Sequence, residues 1–544
     1  MTSEGAAGQS LPEKLRAGVA AQTGWRRHAL AFLAGSLSVL AFAPFFVSPV
    51  LFLTLPVFVW LIDSAKSSKS AALSGWWFGF GFFFFGLFWI GEAFLVEADK
   101  FAWLLPFAVT LLPAGLALFW AAAAGASRRI WPHGLARVLV LAIALSIAEW
   151  LRGNILTGLP WNILGYALTY PDALMQSAGL FGIYGLTLLA VSIFSGPLVI
   201  LADSGSAATA RKQIKAVGLA VVPLLAMWAY GAWQLNKTLT YVDGVKIRIV
   251  QPSVPQSEKW KPEFQRRIFD DHISLSKTAP DGKADNLEGV THLIWPEAAM
   301  PFLPLETPQA LKAIADLLPK GTLLITGALR RATATGKSTG TTAQSVDAFN
   351  SIIVFDSDGQ PAAVYDKIHL VPFGEYLPME AVLNLVGLGS LTFGRGAFTP
   401  GASPRSALKI VGLPSALGLV CYEALFPSEI ASHLGPAGVI INVTNDGWFG
   451  NSTGPRQHFH QTRVRAVEQG IPILRSANNG ISGVINPFGR VQASLGMNER
   501  GTIDSPLPVT VSPPPYARFG ETIFTLLGLA CALAAYMLSR NLHL

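Results

Sequence analysis

The sequence predicts an α-helical transmembrane bundle of eight spans joined to an α/β domain. Three observations carry that expectation. Hydrophobic residues make up 51% of the 544 residues and charged residues only 13%, about half the charge of an ordinary globular chain. Mean hydropathy is +0.43. The apolar residues are also segregated. Long runs fill the chain to about residue 236 and return at 519–538, whereas residues 244–506 hold short runs broken by turns. This composition excludes disorder, a coiled coil, a collagen-like fibre and a disulfide scaffold, and Cys421 and Cys531 are the only cysteines.

A helix needs ~20 residues to cross a hydrocarbon core. The candidate spans are Ala29–Phe45, Val50–Ile62, Ala71–Ala93, Ala102–Ala124, Val138–Leu151, Ala178–Ala202, Ala216–Leu235 and Phe519–Leu538. The second and fifth are short, and Pro44 and Pro49 make the second the return leg of a hairpin. The first reads as a retained helix, because no small-x-small cleavage pattern leads into a soluble chain. With eight spans, Lys14, Arg16, Arg26, Arg27, Lys66, Lys69, Arg128, Arg129, Arg137, Arg211, Lys212, Lys215 and Arg540 all fall on one side. The positive-inside rule then puts both termini in the cytoplasm and the large domain outside it. The net charge of +7 is read as this topology signal and not as nucleic-acid binding. The expected division is a tail at 1–27, seven spans over 28–236, the domain at 244–506, an eighth helix at 519–538 and a tail at 539–544.

Within the domain, strands are expected at Val245–Gln251, Val290–Trp295, Thr322–Leu329, Ser351–Phe355, Ala362–Asp366, Leu417–Cys421, Gly438–Val443, Pro472–Ser476, Ile481–Ile485 and Val491–Ser494. Helices are expected at Lys261–Lys277, Pro308–Leu318, Pro427–Leu434 and Arg456–Glu468. Such alternation implies helix-covered sheets. The proline-rich Ser505–Pro515 reads as a linker. Met379–Phe398, apolar and nearly uncharged, reads either as a core helix or as a lid facing the bilayer.

Three polar residues sit at strand ends, where α/β folds place their sites. Glu297 follows Leu293-Ile294-Trp295-Pro296, Lys367 follows Tyr365-Asp366, and Cys421 follows Gly418-Leu419-Val420. A thiol nucleophile needs a base for its proton and a donor for the oxyanion, and Glu, Lys and Cys supply all three. Taken singly, each has a duller account: a core thiol, a hairpin end, a helix cap.

Together, and in this order, the trio resembles the nitrilase superfamily, whose Glu-Lys-Cys triad sits on an αββα sandwich. The flanks match as well: Trp295-Pro296-Glu297, the run Tyr365-Asp366-Lys367-Ile368-His369-Leu370-Val371-Pro372-Phe373-Gly374-Glu375-Tyr376, and Cys421-Tyr422-Glu423. Gln251, Pro255-Gln256, Lys259-Trp260 and Asn442 through Phe449 are further family-like segments. With apolar helices on both sides of the domain, nearly the whole chain, its first ~25 residues apart, is similar to the apolipoprotein N-acyltransferases.

That resemblance implies a ping-pong acyl transfer. Cys421 would carry an acyl thioester, Glu297 would act as base and then acid, and Lys367 would stabilise the oxyanion with the N–H after Cys421. Glu375 would orient Lys367 or a proton, and Tyr422, Glu423 and Trp260 would lie near substrate. The acyl donor would be a phospholipid, phosphatidylethanolamine in the family. The acceptor would be the N-terminal amine of an S-diacylglyceryl-cysteine apolipoprotein, in the last step of lipoprotein maturation. No cofactor, metal or nucleic acid is expected, and the protein is expected as a monomer in a bacterial inner membrane. A membrane-anchored nitrilase-like amidohydrolase and a transporter with a periplasmic binding module are the competing readings. Among minor signals, Gly450–Gly454 fits a G-x-S-x-G pattern but reads as a loop. His458 and His460 lie two apart on a helix and face apart. Cys531 is expected to be inert, and Glu149, near the Gly158–Trp161 loop, reads equally as a functional carboxylate or a bundle-end hydrogen bond.

Overall fold

The computed structural model describes residues 10–203, 210–333, 346–378, 398–432 and 437–540. The apolar stretch Met379–Phe398, Phe398 excepted, lies outside them. The chain divides into two compact units, one of residues 1–237, 452–460 and 513–544, the other of residues 238–451 and 461–512.

In the first unit the apolar runs form the helices Gly24–Ser38, Leu51–Asp63, Ser68–Gly86, Leu105–Arg129, Leu135–Asn154, Ala178–Asp203, Ala210–Leu235 and Thr522–Arg540. Among the described residues four stretches are long and apolar enough to cross a membrane, Ala98–Arg129, Ala178–Asp203, Arg211–Leu235 and Thr522–Arg540, or five if one bent helix pair counts as a span. The expected third span is not one helix. It breaks at Leu87, and Ser68–Gly86 and Phe88–Leu95 meet at 56°. At that break Asn162 Nδ2 donates to the Gly86 carbonyl at 3.1 Å, so an oxygen of the last turn is satisfied from outside the helix. The expected tail also contains a helix, Leu11–Ala20. Ser10 and Glu13 form its capping box, with Glu13 Oε2 accepting from the Ser10 N–H at 2.7 Å.

Charges inside this unit hold backbone and helices together. Arg137 pairs with Asp203 at 2.7 Å and Asp63 at 3.3 Å, and Arg16 pairs with Asp203 at 2.7 Å. Glu149 is fully buried and accepts from the Leu164 N–H at 3.0 Å and the Thr187 hydroxyl at 2.8 Å. Arg152 donates to the carbonyls of Leu159 and Trp161, fixing the loop that holds Trp161. Glu149 therefore makes the bundle-end hydrogen bonds.

The second unit contains a six-stranded sheet, order β11-β1-β2-β3-β4-β5, and a five-stranded sheet, order β10-β9-β8-β7-β6. The strands are β1 Tyr241–Gln251, β2 His292–Met300, β3 Leu323–Thr333, β4 Val346–Phe355, β5 Pro361–Asp366, β6 Ala416–Val420, β7 Val439–Thr444, β8 Ile473–Ala477, β9 Ser482–Ile485, β10 Val491–Leu495 and β11 Gly501–Pro508. Alternating residues face opposite ways along a strand. Ile249, Ile294, Ile325 and Ile352 from one sheet therefore meet Ile441, Val443 and Leu474 from the other in a shared core. The opposite face of the larger sheet, including Leu293, Trp295 and Leu324, packs with Phe269 of helix Gln265–Ser276 and Ile314 of helix Pro308–Leu317. Arg475 of β8 reaches Thr462 of helix Gly454–Gln469 at 3.3 Å.

Several expected boundaries shift, among them the strand start expected at Ser351, found at Val346, and the first span's end at Phe45, its α-helix closing at Ser38; two shifts have a cause in proline. β2 continues past Trp295, but its pairing with β3 slips between Trp295 and Met300. Pro296 has no N–H for the ladder, so the strand bulges there. The expected linker Ser505–Pro515 begins within β11, where Ile503 pairs with Ile249. Pro506 and Pro508 are tolerated because β11 is an edge strand.

Candidate active site

Strand ends and one bulge deliver the polar residues. Glu297 sits in the β2 bulge, followed by Ala298 at φ +45°. A side chain at Gly327 on β3 would collide with the Glu297 Cα, so that glycine is what lets the bulge close against the sheet. Lys367 follows β5, and Cys421 follows β6 at φ +49°. A left-handed conformation is costly for a non-glycine residue and recurs where function needs the geometry. It ends the ladder at Val420 and opens the short turn Cys421–Leu425.

The structure brings Cys421, Glu297 and Lys367 within electrostatic reach of one another. Burial pushes the Cys421 thiol well above its ordinary range, the Glu297 charge adds to that, and Lys367 and a hydrogen bond with Thr444 oppose it. Burial alone would depress Lys367. The negative charges of Glu375 and Glu297 outweigh it, and the ammonium is held above its ordinary value. Lys367 Nζ lies 2.7 Å from Glu375 Oε2, which also accepts from the Val371 N–H at 2.8 Å. The site thus holds a neutral thiol, a fixed cation and two carboxyl groups, an arrangement able to generate a thiolate on demand and to neutralise an oxyanion.

Asn350 on β4 was not singled out by any motif. Its Nδ2 donates to Glu297 Oε1 at 2.8 Å and Glu375 Oε1 at 2.9 Å. Lys259 is buried, and its Nζ donates to the Glu297 carbonyl at 2.9 Å. The neighbouring Trp260 is half-buried in the same turn.

Glu423 belongs to a different network. It is fully buried and accepts from the N–H groups of Val420 at 2.7 Å, Ile368 at 3.0 Å and His369 at 3.2 Å. The Tyr365 hydroxyl donates to it at 2.8 Å and Arg405 at 3.0 Å. Burial would raise its carboxyl, but Arg405, the Val420 N–H and the Lys367 charge hold it below the ordinary range. Glu423 ties the nucleophile's turn to the lysine's loop. Arg405 has no flanking signature in the sequence. The Tyr422 ring packs 4.9 Å from Phe426 and 5.6 Å from His369.

The minor signals separate from this cluster. Ser452 Oγ accepts from the Gly454 N–H at 3.1 Å in the loop entering helix Gly454–Gln469. His460 Nε2 lies 2.7 Å from Thr169 Oγ1, and the His458 ring lies 5.7 Å from Trp161. Among the described residues no group of three or more His, Cys, Asp and Glu could hold a metal. Cys531 lies in helix Thr522–Arg540.

Comparison with known proteins gives this geometry a family. Residues 34–195 match the apolipoprotein N-acyltransferase N-terminal domain, and residues 246–511 match the carbon-nitrogen hydrolase domain. An apolipoprotein N-acyltransferase of Rhodopseudomonas palustris is 46% identical over 514 residues, spanning 93% of this chain and 94% of its own. One from Bradyrhizobium diazoefficiens is 47% identical over 504 residues, spanning 92% of each. A solved amidase from Nesterenkonia sp. aligns with 54% of this chain and 99% of its own at 18% identity and a TM-score of 0.35. The chain belongs to the apolipoprotein N-acyltransferase family and is an acyltransferase built on a carbon-nitrogen hydrolase domain.

Proposed function

We propose that the protein moves an acyl chain from a membrane phospholipid, through a thioester on Cys421, to the N-terminal amine of S-diacylglyceryl-cysteine on apolipoproteins. The observation that carries this reading is a buried Cys421 at the end of β6, at φ +49°, with Glu297 and Lys367 as its charged neighbours. Glu297 takes the thiol proton as sulfur attacks the ester carbonyl. Lys367 and the backbone N–H of Tyr422 neutralise the oxyanion. The carbon–oxygen bond to glycerol breaks, Glu297 returns the proton to that oxygen, and a lysophospholipid leaves. The acceptor amine then attacks the thioester and gives a proton to Glu297. The carbon–sulfur bond breaks and the thiol is restored.

Both substrates carry long chains, which resist leaving a bilayer by ~0.8 kcal/mol per buried CH₂. The reading therefore includes a membrane protein of eight spans, with both termini cytoplasmic and residues 244–506 outside the cytoplasm, in a bacterial inner membrane. Phosphatidylethanolamine is the proposed donor, and a monomer the proposed state. The test is transfer itself. Purified protein is given phosphatidylethanolamine labelled in its acyl chain and a diacylglyceryl-cysteinyl peptide. Label in an amide at the peptide N-terminus supports the reading; release of free fatty acid alone would replace it with a hydrolase.

A further inference from the structure

We infer that Asn350 is a positioning residue of the acyl-transfer site, whose single amide nitrogen holds the base Glu297 and the lysine partner Glu375 together. The inference rests on the reading of Cys421 as nucleophile and Glu297 as base. Asn350 is 5% exposed. Its Nδ2 lies 2.8 Å from Glu297 Oε1 and 2.9 Å from Glu375 Oε1, and its main-chain carbonyl accepts the Lys367 main-chain N–H at 2.8 Å. The side chain therefore touches both carboxyl groups, and the main chain fixes the start of the Lys367 loop. The β4–β5 register, with Ser351 opposite Asp366, is what sets Asn350 beside Lys367.

The chemistry of the contact is specific to an amide. An amide nitrogen carries two hydrogens, enough for one bond to each carboxylate. One donor shared between Glu297 Oε1 and Glu375 Oε1 fixes the two side chains relative to each other, and being neutral it adds no charge to compete with Lys367. The amide orientation follows from the same chemistry. Asn350 Oδ1 has no hydrogen-bond partner among the described residues, and turning the amide round would set that oxygen against two carboxylates.

The test uses the full-length protein in detergent micelles with dipalmitoylphosphatidylethanolamine, following acylation of Cys421 by intact mass as a function of pH. Asn350→Asp keeps the shape but replaces the donor by an anionic acceptor beside Glu297 and Glu375, which disfavours the ionised form of the base. The acidic limb of the rate profile then moves up by about one pH unit or more, a tenfold loss of rate on that limb. Asn350→Ala, which adds no charge, moves the limb in the same direction by less and serves should the Asp variant not fold. A variant that acylates at the unaltered rate with an unaltered profile would overturn the inference. So would a slower rate with an unmoved acidic limb, which marks a merely structural role. Absence of any adduct on unsubstituted Cys421 would instead remove the reading beneath it, and the inference with it.

Discussion

Both units bury charges, but they use them differently. In the helical unit the carboxyl of Glu149 accepts from a backbone N–H and a hydroxyl, and Arg152 donates to two carbonyls. The two groups lie 3.9 Å apart, and their other named partners are atoms they hold in place. In the α/β unit Lys367 faces Glu375, Glu297 and the Cys421 thiol, groups that can exchange protons or accept new bonds. Burial alone therefore does not distinguish architecture from chemistry; the identity of the partner atoms does. Glu423 makes the contrast within a single unit. It lies two residues from Cys421 in sequence, yet three of its partners are backbone N–H groups.

The largest expected effect that sharpens this contrast is at Glu297. Glu297→Gln keeps an acceptor for Asn350 but cannot take the thiol proton, so acylation of Cys421 slows by about 10²–10⁴-fold while the unfolding temperature changes little. A different pattern is expected at Glu423. Glu423→Ala leaves the buried Arg405 without its 3.0 Å partner and frees the N–H groups of Val420, Ile368 and His369, so it lowers the unfolding temperature by an amount equivalent to a few kcal/mol and slows acylation by loosening the turn at Cys421 and the loop at Lys367. A Glu423→Ala protein with an unchanged unfolding temperature would break the distinction drawn here.

A smaller effect is expected at His272, a buried group with no part in the proposed chemistry. Burial pushes its imidazole down to about 4, helped by the Lys259 charge and opposed by the bond to the Ile268 carbonyl. The folded protein thus keeps it neutral where the unfolded chain, near 6.5, takes up a proton. Stability is lost as pH falls from 6.5 and levels off below 4, about 3 kcal/mol in all. Thermal unfolding of the solubilised protein across that range measures it. His272→Gln should flatten this part of the curve, and an unchanged slope would locate the titrating group elsewhere.

Much of this organisation was legible in the sequence because it is written in local signals. Apolar runs give helices, and polar residues at the ends of apolar strands mark Glu297, Lys367 and Cys421. The less legible features arise from pairing between distant segments. Asn350 lies inside a strand with no motif of its own, and its role appears only when β4 sets it beside Lys367 while the β2 bulge turns Glu297 toward it. Arg405 likewise gains meaning only from Glu423 and Tyr365. The break at Leu87 has its external partner in Asn162, which reaches the Gly86 carbonyl from 76 positions away. The helix Leu11–Ala20 is different in kind: Ser10 and Glu13 spell its capping box locally, but the charged leader drew the segment into a tail. In Ser505–Pro515 the prolines concealed an edge strand, the one place in a sheet where they cost little.

The central claim is that Cys421 becomes acylated with Glu297 as its base. Its most direct measurement is the intact mass of the purified protein after incubation with phosphatidylethanolamine and no acceptor. The account predicts one added acyl group, mapped to Cys421, released by a neutral thiol-ester nucleophile such as hydroxylamine, and absent in Cys421→Ala. An adduct on another residue, or acyl transfer that persists in Cys421→Ala, would contradict it.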